Sequence, residues 1–146
     1  VDVTHDRDDY KLLVSERGMT EDQVKKIVEN ELDMTPLPFG AYKFTFDESP
    51  IHGRGVFAVS NIIEGEVIGP ARIGTSRTYL GRLTNHSVTP NSFPKLNGKG
   101  GIDLVANRPI GGCSGGIKGE EITVNYRDSS AVANMLDKEM GLCLHS

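Results

Sequence analysis

The chain has 146 residues, enough for one compact domain with a real core. Lys and Arg number 16 against 20 Asp and Glu, a formal net charge of -4, which argues against a phosphate-backbone binder relying on excess positive charge. Apolar runs of only a few residues fall well short of a membrane span, and the opening VDVTHDRDDYK lacks the basic and apolar regions of a signal peptide. The expectation is a soluble, intracellular protein, cytoplasmic or nuclear in a eukaryotic host.

Residues 1–18 are polar and charged. In the following TEDQVKKIVENELDM, Val24, Ile27, Val28 and Leu32 form one helical stripe, with Thr20 and Gln23 suited to a capping box. Pro36 and Pro38 end that helix. From Tyr42 the period changes to two: YKFTFD alternates, and short apolar runs at 56–59, 66–68, 102–106 and 122–124 sit between turn residues. NGKGG at 97–101 reads as a hairpin turn, because its glycines tolerate positive φ, and GGCSGG at 111–116 as a longer loop. Near the C-terminus Val132, Met135, Leu136 and Met140 recur at helical spacing, with a serine as cap and Gly141 as stop. Cys113 and Cys143 cannot make a four-ligand zinc site, and two free thiols are expected, with no metal.

Three stretches bear chemistry. In SPIHGRGVFA (49–58), Gly53 and Gly55 flank Arg54 before a strand; this marks either a tight turn or a place where the backbone meets a ligand. It is not a dinucleotide fingerprint, which follows a strand and opens a helix. In NHSVTPN (85–91), Asn85, His86 and Asn91 sit in a polar turn closed by Pro90. No nucleophile elbow surrounds Ser87, which disfavours serine-hydrolase chemistry, and His86 has no partner at metal-ligand spacing. In GEEITVNY (119–126), Ile122, Val124 and Tyr126 alternate onto one face of a strand, where Tyr126 alone reads as a half-buried aromatic.

The ordered set SPIHGRGVFA, EGEVI, GRLTNHSVTPN, LVANRPI and GEEITVNY, spanning 49–126, closely resembles the SET domain of protein lysine methyltransferases. The resemblance covers just over half of the chain. It implies a mostly β fold with short helices, in which several small sheets surround a knot-like crossing where the 85–91 segment tucks beside 119–126. It divides the chain into an N-terminal extension with one amphipathic helix (1–40), a SET domain (41–128) and a C-terminal helix and tail closing the site (129–146).

The implied activity is methyl transfer from S-adenosylmethionine to a protein lysine, leaving S-adenosylhomocysteine. By similarity Tyr126 is the catalytic tyrosine. His52, Gly53, Arg54 and Gly55 would flank the methionyl portion of the cofactor, the glycines letting the backbone approach it where a β-carbon would clash. Asn85 and His86 would contact its amino group and adenine, and Leu142 would lie near the adenine.

The chain departs from the family in several places. GEVIGPARIG lacks the tyrosine that often lines the lysine channel, leaving Tyr79 or Phe93 as substitutes. The insert before NHS is short, and no cysteine-rich closing segment follows Tyr126, a reduction that resembles compact viral and bacterial members. Val124 stands where members often carry Phe or Tyr, leaving room for di- or trimethylation. The expected partner is a basic, lysine-containing segment of a histone or non-histone protein, with neither nucleic acid nor membrane bound. The alternative is a catalytically weak SET module that binds cofactor or a peptide.

Overall fold

The computed structural model describes residues 4–16, 34–112 and 118–141. The alternation that begins at Tyr42 becomes strand β1 (Phe44–Glu48), which pairs antiparallel with β2 (Arg54–Ala58), setting Phe46 opposite Val56 and Glu48 opposite Arg54. β3 (Val67–Ile73) runs well past the apolar pair Val67 and Ile68 that announces it; Pro70 is accommodated where the ladder to its neighbour shifts register. β4 (Ser76–Arg77) turns back on it and leads into a single-turn helix, α2 (Tyr79–Leu83), followed by β5 (Asn85–His86). β6 (Ser92–Leu96) and β7 (Gly101–Ala106) form the expected hairpin. Its turn has Gly98 and Gly100 at φ +72° and +77°, and the Asn97 side chain accepts from the Lys99 and Gly101 amides.

β8 (Glu121–Val124) completes one sheet of order β1-β2-β8-β5, in which β5 runs parallel to β8. The second sheet has order β4-β3-β7-β6. Apolar side chains from both, among them Val56, Ile68, Leu104 and Ile122, join Leu80 of α2 in one core. Each such side chain contributes about 1.5–3 kcal/mol when fully buried. The 85–91 and 121–124 segments lie side by side as expected: Asn91 donates to the Glu121 carbonyl and accepts from the Thr123 amide, and Ser92 donates to the Thr123 carbonyl. The architecture is mostly β, built of small sheets with short helices.

Two element assignments are corrected. The alternation of Ile122, Val124 and Tyr126 does not stay in one strand: β8 ends at Val124, and Tyr126 opens helix α3 (Tyr126–Glu139). The cap is Asn125, whose side chain accepts from the Arg127 amide, in place of a serine. At the other terminus the charged residues form a helix, α1 (Thr4–Glu16), which buries Tyr10, Leu13 and Val14. The expected helix over 20–34, Cys113, Cys143 and Leu142 lie outside the described residues, apart from Met34, which forms an isolated bridge with Arg77. Among the described residues no helix is long and apolar enough to cross a membrane, and no cluster of His, Cys, Asp and Glu could hold a metal ion.

Candidate active site

α2 is the first support of the site. Thr78 caps it, accepting from the Gly81 amide at 3.2 Å while donating to the Pro70 carbonyl at 2.6 Å. Helix and strand approach so closely that a β-carbon on Gly81 would stand 2.0 Å from the Ala71 carbonyl oxygen, which explains a glycine inside a helical turn. Thr84 closes the turn by donating to the Leu80 carbonyl. Its own carbonyl then accepts from the Tyr126 hydroxyl at 3.0 Å.

β5 and the 49–55 turn are tied together by Asn85. Its side-chain nitrogen lies 2.9 Å from the His52 carbonyl, 3.3 Å from that of Arg54 and 3.0 Å from a Glu121 carboxylate oxygen. Gly53 takes φ +48°, a left-handed conformation in which the Ser49 amide donates to its carbonyl and closes the turn. Gly55 is explained inside the chain: a β-carbon there would meet the Glu121 carboxylate at 2.3 Å and Asn85 at 3.0 Å. Gly55 therefore has a reason within the chain, room for a carboxylate, besides the one expected of it, while Gly53 both closes the turn and lines the adjoining cavity.

That carboxylate also accepts from Ser49 Oγ at 2.8 Å. Burial raises the pKa of Glu121, outweighing the hydrogen bonds from Asn85 and Ser49 and the charge of Lys118 that lower it. A carboxyl whose folded pKa is raised favours the folded state when protonated, and this contribution fades as pH rises through the folded pKa. Thermal unfolding of Glu121→Gln, which does not titrate, should therefore gain on that of the wild type as pH rises from 4 towards 8. Parallel pH curves for the two proteins would show that Glu121 is not perturbed.

His86 is fully buried and engaged on both ring nitrogens: Nδ1 accepts from the Tyr126 amide at 3.1 Å and Nε2 meets the Asp9 carboxylate. The accepting Nδ1 places the imidazole proton on Nε2. Asp9 also accepts from Arg127 at 2.8 Å, and this hydrogen bond holds its carboxyl below the usual range, with burial opposing it and His86 adding to it. The His86 ring is thus a link between α1 and the start of α3 and does not line the cavity beside it.

That cavity, of about 1120 Å³, is where the motifs meet. His52, Gly53 and Arg54 line it with Asn85, Val124 and Tyr126, and so does Tyr79, one of the two suggested channel aromatics. Phe93 is not there: β6 turns Ser92 and Pro94 inward and leaves Phe93 on the outer face, 37% exposed. Ser129, Ser130 and Ala133 of α3 form another wall. Two contributors were missed in the sequence. Arg82 of α2 is a cation only 5% exposed on the cavity wall, and Tyr10 reaches it from α1. No sequence signal distinguishes Arg82 from an ordinary helical arginine.

No protein-family model and no curated protein matches the chain. Solved structures do. A Plasmodium falciparum protein provisionally described as a histone methyltransferase is 20% identical, over 60% of this chain and 95% of its own, with a TM-score of 0.47. The methyltransferase domain of human PR domain-containing protein 2 is 18% identical over 72% of this chain and 85% of its own, with a TM-score of 0.46. A humanized mutant of the Chaetomium thermophilum Polycomb Repressive Complex 2, bound to the inhibitor GSK126, is 21% identical over 61% of this chain, with a TM-score of 0.48; the match spans 15% of that chain.

Proposed function

We propose that the chain is a SET-domain methyltransferase that moves methyl groups from S-adenosylmethionine to the side-chain amine of a protein lysine. The observation that carries this reading is the convergence of 52–54, Asn85 and Tyr126, far apart in sequence, on one cavity. At about 1120 Å³ the cavity accommodates a nucleoside-sized cofactor together with an inserted side chain. Its lining includes the aromatic rings of Tyr10, His52 and Tyr126 and the buried guanidinium of Arg82.

S-adenosylmethionine supplies an electrophilic methyl: the amine lone pair forms the new N–C bond while the C–S pair stays on sulfur. The residues have to orient the amine and exclude water. Deprotonating a lysine of pKa 10.4 at pH 7 costs about 4.6 kcal/mol, and a desolvated cleft lowers that cost by disfavouring the ammonium form. Tyr126, its hydroxyl fixed beside the Thr84 carbonyl, is the group assigned to hold the neutral amine in line. The negative chain favours a basic segment as substrate.

Val124 is 4% exposed and lines the same cavity. Val124→Phe should confine the product to the monomethyl form, at a packing cost of about 1–3 kcal/mol. Mass spectrometry of the modified lysine reads the outcome, and unchanged di- or trimethylation would show that this position does not set methyl number. The activity itself is tested with methyl-labelled cofactor against core histones and other lysine-rich proteins. Label on lysine is expected; cofactor binding with no transfer to any of them would favour the binding module.

A further inference from the structure

α1 carries only a short apolar stripe, Tyr10, Leu13 and Val14, yet all three are nearly buried at 5%, 3% and 7% exposure. They line the cavity. The helix is held in place by polar contacts to the three segments that carry the motifs. Arg7 donates to the Pro50 carbonyl at 2.6 Å, two residues before His52. Asp6 accepts from Ser87 Oγ at 2.9 Å and from the Val88 amide at 3.0 Å, just beyond Asn85 and His86. Asp9 binds His86 and Arg127, the latter adjacent to Tyr126. A helix clamped at these points turns its apolar side towards the space the motifs enclose. Tyr10 stands there with its ring centroid 4.8 Å from that of His52, tilted by 31°, and 6.1 Å from that of Tyr126, edge-on at 72°.

We infer that α1 is a wall of the cofactor site and that Tyr10 is a ligand-contacting residue of it. The inference rests on the reading of the cavity as an S-adenosylmethionine site. α1 bounds the cavity without filling it, since about 1120 Å³ stays open with the helix in place. The Tyr10 ring offers what such a ligand needs, because a π face attracts both a flat heteroaromatic ring and a sulfonium cation. α1 thus supplies an aromatic wall from a segment that precedes all of the motifs in the sequence.

The chain contains no tryptophan, so Tyr10→Trp installs a single indole in the proposed wall. Leu12→Trp, on the outer face at 52% exposure, is the control. Titration with S-adenosylhomocysteine should shift or quench the emission of the indole at 10, saturating at the midpoint that calorimetry gives for the wild type, and leave that of the indole at 12 unchanged. Tyr10→Ala should bind about 10-fold more weakly, the scale of a lost ring-stacking contact. Its ligand-free melting curve and that of Tyr10→Phe show whether the wall has folded. Wild-type binding with a silent indole at 10 and undiminished affinity in Tyr10→Ala overturns the inference alone. Tighter binding by Tyr10→Ala overturns it too, by making α1 a cover over the site. No binding by the wild type removes the functional reading, and the role of Tyr10 with it.

Discussion

Tyr126→Phe is expected to lower methyl transfer by about 100-fold or more while leaving the fold and cofactor affinity nearly unchanged. The phenyl ring keeps its packing against Tyr10 and His86, whose ring centroids lie 6.1 and 5.2 Å away. The amide of residue 126 still donates to His86, and Asn125 still caps α3. The hydroxyl and its bond to the Thr84 carbonyl disappear, at a stability cost of about 1 kcal/mol. A loss of rate without a loss of binding separates an orienting role from a structural one. Single-turnover rates beside calorimetric affinities make the comparison; transfer at the wild-type rate would remove Tyr126 from the reaction.

Gly81→Ala should destabilise the protein strongly although it substitutes none of the groups assigned to the reaction. A β-carbon 2.0 Å from the Ala71 carbonyl oxygen meets backbone, which cannot swing aside as a side chain would. α2 has to move off β3, and Arg82 and Thr84 move with it. Overpacking of this kind costs about 3 kcal/mol, which lowers the melting temperature by about 10 °C in a domain of this size. Gly74→Ala is the control: its φ is +61° but nothing lies within 4 Å, so only backbone strain of about 1–2 kcal/mol is added. Urea unfolding of the two variants decides the matter, and equal losses would mean that the α2–β3 contact yields easily.

Much of the β body was legible because its signals are local. The alternation around Phe44 and Phe46 and the Asn-Gly and Gly-Gly pairs of the β6–β7 turn each act within a few residues. The site was legible as a set of segments whose order resembles a known family, and 52–54, Asn85 and Tyr126 do meet. α1 was not legible: Tyr10, Leu13 and Val14 among charges make a weak stripe, and the helix is held by partners such as Ser87 and Arg127, about 80 or more positions away. The packing reason for Gly55 was not legible on a related ground, since its neighbour Glu121 arrives from another strand. The period-two pattern carried through Asn125 because a cap residue is extended, and so the start of α3 looked like the end of β8.

The central claim is that the cavity joining His52–Arg54, Asn85 and Tyr126 is the site of an S-adenosyl cofactor. Calorimetric titration of the full chain with S-adenosylhomocysteine tests it most directly. One saturable site is expected, with a negative heat-capacity change from apolar burial and no competition from ATP. Absence of saturable binding, or displacement of the ligand by ATP, would contradict it.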